Sequence, residues 1–273
     1  MPSASPVQTI AVTGGKGGIG KTNVSANLGL SLVASGQRVI LLDTVFGVSG
    51  VESLLDLTPA LDLSHVVRGE CSLQDALIDG PGGLMILPSG HSVIEMTRLS
   101  QIEHANLIGL FSDLAVDADT LIIDIATGLS DSVLFYTGAA REVMVVVCDE
   151  PTSIRDALST IRLLNQTRQI RRFRVVANRT ESAGHGLDLY STLTRYADRH
   201  LDVLLDFCGS IPYDPQVKAA VAQQQAVVEA FPRSSASLAF QKLATRVKRW
   251  PRPTEPAGHV EFFVERLIQT AAL

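Results

Sequence analysis

A chain of 273 residues is long enough for one α/β domain with a large interior, and 46% hydrophobic against 19% charged residues excludes wholesale disorder. Lys and Arg number 23 and Asp and Glu 28, so the net charge of −5 argues against general DNA or RNA binding. The cysteines, Cys71, Cys148 and Cys208, are far apart and form no C-x-x-C pair, which excludes a disulfide framework or a zinc ribbon.

In chain order, residues 7–13 are apolar and β-rich, a glycine cluster follows, and residues 23–34 have helical spacing. Residues 39–42 are a short apolar run closed by Asp43. Residues 84–87, 121–123, 143–148 and 173–177 repeat that form, with helix-length stretches at 102–118, 153–166 and 187–200. Continuous apolar runs separated by such stretches predict an α/β fold: a mostly parallel twisted sheet flanked by helices on both faces. Residues 250–257 hold three prolines of the stretch Trp250 to Pro256 and cannot continue a helix. They divide the chain into a body, 1–249, a proline-rich linker, 250–257, and a C-terminal segment, 258–273. No secretory leader pattern and no apolar run of about 18 residues occurs, so the expected location is cytoplasmic.

The strongest signal is Gly15, Lys16, Gly17, Gly18, Ile19, Gly20, Lys21 and Thr22, which fits G-x-x-x-x-G-K-[ST] between a predicted strand and a predicted helix. Glycines let successive N–H groups turn towards phosphate oxygens, and the helix N-terminus, with Asn23 in its first turn, adds its positive dipole end. The expected ligands are ATP and Mg²⁺. Lys21 would neutralise the β- and γ-phosphates, and the Thr22 hydroxyl would ligate the metal. Asp43 and Asp124 each end an apolar run, which places both at the carboxyl edge of the sheet, where open α/β folds bind ligands.

The loop K-G-G-x-G-K-T, with its extra Lys16, resembles the deviant Walker A motif of the MinD/ParA family of P-loop NTPases, which are dimerising ATPases. The resemblance implies that Lys16 reaches the phosphates of a partner copy in an ATP-state homodimer. It implies that Asp43 and Asp124 are the switch I and Walker B carboxylates near Mg²⁺. It also implies that Asn178, Arg179, Pro212 and Tyr213 line the purine base. Within the family the chain resembles the FleN/FlhG branch through residues 10–18, 146–154, 230–234 and 261–267. That branch implies an antiactivator of a FleQ-like transcriptional regulator controlling flagellar number. The motif D-Q-A-x-x-L-R, which accompanies stimulation of the GTPase FlhF, is absent and favours the FleN side. MinD-like division or partitioning activity, and a degenerate nucleotide-binding paralogue, are the alternatives. Direct DNA binding is not expected.

One departure bears on catalysis. Where the family keeps D-x-D-x-G, this chain reads Asp43, Thr44, Val45, Phe46, Gly47. Val45 cannot orient water, the family asparagine a few residues on is missing, and Glu52 is the nearest substitute. Loss of a water-positioning carboxylate costs about 10²–10⁴-fold in rate, so slow turnover is expected.

In the tail, Val260, Phe263, Val264 and Leu267 fall on one helical face behind a stretch rich in Lys and Arg. That is the signature either of an amphipathic helix held at the cytoplasmic face of a membrane or of a terminal helix docked on the body.

Overall fold

The computed structural model describes residues 6–46, 50–90, 96, 98–257 and 259–271. Strands β1 (Gln8–Thr13), β2 (Val39–Asp43), β3 (Ile78–Asp79), β4 (Met85–Leu87), β5 (Thr120–Asp124), β6 (Glu142–Val147), β7 (Arg172–Thr180) and β8 (Leu204–Pro212) form one sheet in the order β3-β4-β2-β5-β1-β6-β7-β8. The pairings are parallel save the short β3 against β4. Helices α1 (Lys21–Ala34), α2 (Val51–Leu54), α3 (Leu63–Val67), α4 (Gln101–Gly109), α5 (Asp131–Gly138), α6 (Pro151–Arg168), α7 (Ala183–His200), α8 (Pro215–Ala222), α9 (Val227–Ala230), α10 (Ser235–Val247) and α11 (Val264–Ala271) cover it.

Strand alternation explains the two covered faces. Ile10, Val12, Val39 and Leu41 point to a core shared with α1 and α10. Ala11, Ile40 and Leu42 point to the opposite core, beneath α3, α4 and α5, while Val143, Val145 and Phe173 continue that face under α6 and α7. Every residue of a central strand therefore has an apolar neighbourhood, which is why these strands read as unbroken apolar runs.

The stretch 102–118 is not one helix. A capping box at Ser100 starts α4. The helix stops at Gly109, and a 3-10 turn, Leu110–Asp113, carries Phe111 into the core. Glycine, serine and aspartate are weak helix formers, so burying Phe111 decides the path. Helices α6 and α7 begin earlier than their apolar spacing suggests, through Pro151 at the first turn and the Ser182 cap.

Of the two readings of the C-terminal segment the structure shows the docked one, with the helix starting at Val264 and not at residue 258. Residues 250–257 lie along the body as a strap. Trp250 is buried with the Arg174 guanidinium 4.5 Å over its ring, Arg252 donates to the Pro6 carbonyl (3.3 Å), and Arg141 donates to the Glu255 carbonyl. These contacts lie near the amino-terminal ends of β1, β6 and β7. The tail then docks on the second core. Phe262 and Phe263 meet Phe111 edge-on at 4.8 and 5.8 Å, and buried Glu261 pairs with Arg141 at 2.8 Å. Arg266 donates to the carbonyls of Leu114 and Val116. Helix α11 starts only at Val264, because Phe263 has φ 58 and interrupts the helical path. Leu267 and Phe263 are therefore buried, Val264 is half-buried, and Val260 is exposed off that face. Gly258 lies outside the described residues.

Phe263→Glu is expected to release this tail, since truncating a buried Phe alone costs roughly 3–5 kcal/mol and the cation over the ring, Arg266 at 4.8 Å, is already committed to the Leu114 and Val116 carbonyls. Trypsin should then cut at Arg266 much faster than in the natural protein. Equal protease resistance would show that the ring does not hold the tail.

Candidate nucleotide site

The phosphate loop joins β1 to α1, and its glycines are placed by contact as well as conformation. Gly20 has φ 91, and a Cβ there would stand 2.5 Å from Asn178 Nδ2. At Gly15 a Cβ would overlap the main chain of Asp156 at 2.0 Å, so the loop lies directly against α6. Ile19 offers only its main chain, because its side chain is buried in the core.

Lys21 points into the loop. Its Nζ donates to Thr127 Oγ1 (2.8 Å) and weakly to the Lys16 carbonyl (3.4 Å). Burial pushes its ammonium below the usual lysine range, and the charge of Asp124 opposes that push. Thr22 Oγ1 donates to Asp124 Oδ2 at 2.6 Å, and Ser25 Oγ donates to Asp124 Oδ1 at 2.8 Å. Asp124 and Asp43 are register partners at the ends of β5 and β2. Asp43 accepts from the N–H groups of Val45 and Val51, each at 2.8 Å.

Both carboxyls are pushed up. Burial is the main cause for each, and the charges of Asp124 and Glu52 add to it at Asp43. A hydroxyl and two carboxylates offer oxygen donors only, which suits a hard divalent cation such as Mg²⁺. An acid whose folded pKa is raised stabilises the fold below its unfolded value near 4, and that stability is lost as pH rises through the folded value. Nucleotide-free protein in chelator should thus melt at lower temperature at about pH 8 than at about pH 5, and Asp43→Asn should shrink the difference. A melting temperature that climbs over this interval would contradict the coupling.

The residues expected around a base come together with the loop. Gly18, Gly20, Asn23, Asn178, Arg179, Pro212 and Tyr213 line one cavity of about 220 Å³. Asn178 Nδ2 donates to the Ile19 carbonyl (2.8 Å) and Arg179 Nη1 to the Gly18 carbonyl (3.2 Å). Asn178 and Arg179 do not follow β7. They occupy its irregular end, where Arg179 has φ 58 and the register with β8 shifts. Pro212 likewise closes β8, and Tyr213 is exposed just beyond it.

Lys16 forms an ion pair with Glu150 at the start of α6, and Arg179 stands 3.8 Å from the same carboxylate. That pairing holds the Glu150 carboxyl below the usual range. The sequence reading did not assign Glu150, Ser25 or Thr127. Ser25 was detectable, because it lies three residues after Thr22 and so on the same side of α1. Glu150 and Thr127 depend on tertiary placement.

Val45 presents no carboxylate. Gly50 carries no side chain for a steric reason as well: a Cβ there would lie 2.1 Å from Asp43 Oδ2. Glu52 Oε1 accepts from Gly90 N at 3.3 Å. Gly47, Val48 and Ser49 lie outside the described residues.

Comparison with known proteins agrees with this geometry. Residues 10–227 match the CobQ/CobB/MinD/ParA nucleotide binding domain. The chain is 53% identical over 272 residues to the antiactivator FleN of Pseudomonas aeruginosa, covering 100% of this chain and 97% of that one. It is 29% identical to the septum site-determining protein MinD of Bacillus subtilis, covering 88% of each chain. The structure of MinD from Pyrococcus horikoshii with Mg-ADP shares the fold at a TM-score of 0.73 and 23% identity, covering 89% of this chain and 96% of that one.

Proposed function

Because the chain belongs to the CobQ/CobB/MinD/ParA family of nucleotide-binding proteins and to its FleN/FlhG branch, we propose that it is an ATP-dependent dimerising switch that restrains a FleQ-like activator of flagellar genes. The observation that carries the regulatory part is identity of 53% running end to end with an antiactivator, against 29% with a septum protein. The same contrast sets the division or partitioning reading second.

The chemistry is hydrolysis of ATP to ADP and phosphate. Lys21 and the loop N–H groups hold the phosphates, and Lys16 serves the partner copy. Asn178, Arg179, Pro212 and Tyr213 enclose the base. Thr22, Asp43 and Asp124 would hold Mg²⁺, which would supply charge to offset that of the phosphates. Turnover is slow because Val45 cannot orient water. FlhF is a second candidate partner, disfavoured by the missing activating motif. Among the described residues no helix is long and apolar enough to cross a membrane. Membrane association is peripheral in this reading, in the cytoplasm, and requires Phe263 and Leu267 to leave their buried positions.

The test is sedimentation of purified protein with and without ATP–Mg²⁺, together with the FleQ-like regulator of the same genome. The reading expects a dimer that captures the regulator only with ATP. Regulator binding in no nucleotide state would overturn the antiactivator role. Failure to sediment with anionic vesicles in ATP, ADP and nucleotide-free states would overturn the membrane step.

A further inference from the structure

Strand β8 is the outer strand of the sheet, so among the described residues one of its edges faces no other strand. Leu204 N donates to the Arg171 carbonyl on the β7 side (2.6 Å), and alternation then turns the main-chain groups of Leu205 and Phe207 outwards. Side chains from the flanking helices take both of these carbonyls. Tyr190 OH donates to the Leu205 carbonyl (2.6 Å), and Arg246 Nη1 donates to the Phe207 carbonyl (2.9 Å). Past Phe207 the strand bulges, with a register shift opposite Val175 and Val176 and φ 136 at Gly209. Capped carbonyls and a bulge blunt an edge against casual pairing.

Beside the bulge, however, the surface opens into a groove of about 490 Å³ between α7 and α10, floored by β8. Its walls are apolar where a surface is ordinarily polar. Leu187 on α7 is 50% exposed and Leu238 on α10 is 46% exposed. Lys242 and Arg246, one turn apart on the α10 wall, are exposed, and neither forms an ion pair among the described residues. The chain from Phe231 to Arg252 contains no acidic residue, so the groove's positive charge is uncompensated within its own segment.

We propose that this groove receives an extended segment of a partner protein in which apolar side chains alternate with carboxylates. The apolar side chains would cover Leu187 on the α7 wall. The carboxylates would meet the Lys242 ammonium and the guanidinium of Arg246, whose Nη1 already holds β8. An extended segment sends alternate side chains to opposite sides, so one set would face each wall, while the Leu205 and Phe207 carbonyls stay with Tyr190 and Arg246. Charge complementarity selects an acidic occupant over a groove-to-groove contact of two copies, which would bring two positively charged walls together. No phosphate-loop residue lines the groove, which shares only Ile211 and Pro212 with the nucleotide cavity.

The probe is a fluorescein-labelled octapeptide alternating leucine and aspartate, titrated into the full chain by anisotropy, with a leucine–lysine octapeptide as counterpart. The proposal expects saturable binding of the acidic peptide only, weakened by about tenfold or more in Lys242→Glu and in Leu238→Glu. Should Leu238→Glu melt early, Leu187→Glu on the opposite wall reads the apolar contact. No saturation below about 1 mM, equal binding of both peptides, or binding indifferent to these substitutions would each overturn it. Loss of self-association in Leu238→Glu, seen by sedimentation, would assign the groove to a second copy and also overturn it.

Discussion

Lys21→Ala is expected to abolish measurable ATP binding, while Lys16→Ala leaves monomer binding within about threefold and removes the dimer. The two lysines sit in one loop, yet their surroundings differ. Lys21 is buried, held at 2.8 Å by Thr127 and aimed across the loop mouth. A phosphate replacing these partners would form charge-assisted bonds of roughly 1.5–3 kcal/mol each, and losing two of them weakens binding on the order of 10²–10⁴-fold. Lys16 is more than a third exposed and turns to Glu150, away from the floor of the loop. Serving a partner copy requires it to leave Glu150, so its loss should appear in the sedimentation coefficient with ATP before it appears in nucleotide affinity. Isothermal titration beside sedimentation separates the two effects. Equal loss of ATP affinity in both variants would remove the cross-subunit role from Lys16.

Much of this site was legible because its parts are local. A strand, a glycine loop and a Lys-Thr helix start occupy fifteen consecutive residues, Gln8 to Thr22, and dictate their own geometry. Asp43 and Asp124 were legible because each ends a buried strand, and parallel pairing of β2 with β5 brings such ends together. The contacts of Glu150 with Lys16 and of Thr127 with Lys21 were not, since each depends on a loop from another strand arriving at the same edge. The start of the tail helix was not legible for a different reason. Helical periodicity ran through Val260 and Phe263, but periodicity carries no information on where burial bends the chain. The ring of Phe263 is buried against Phe111, and its backbone takes a left-handed turn there. Tertiary packing overrode the local pattern, and the same override shortened the stretch 102–118 at Phe111.

Val45→Asp is expected to raise the ATP turnover rate by tenfold or more, equivalent to about 1.4 kcal/mol off the barrier. The natural protein should bind ATP with Mg²⁺ and hydrolyse it slowly, because loop, Thr22, Asp43 and Asp124 are assembled and only the water-orienting group is missing. Val45 is well placed for the substitution. It lies two residues beyond Asp43, its N–H already bonds Asp43 Oδ1, and its side chain is half-buried. A carboxylate there would join Asp43, Asp124 and Glu52, and like charges so close raise one another's pKa. The gain should therefore depend on Mg²⁺, whose charge offsets that repulsion, and Val45→Asn should recover less because an amide cannot accept the proton. Gly50 bounds the effect. Its missing side chain leaves room for the Asp43 carboxylate to accept from Val51 N, a contact that any larger residue at position 50 would crowd. Steady-state phosphate release by the natural chain, Val45→Asp and Val45→Asn, on samples checked for equal ATP affinity, decides the matter. Turnover of the natural chain as fast as a typical MinD-like ATPase would show that another group orients the water. Glu52→Gln would then be the substitution to measure, because Glu52 is the acid whose charge already reaches Asp43.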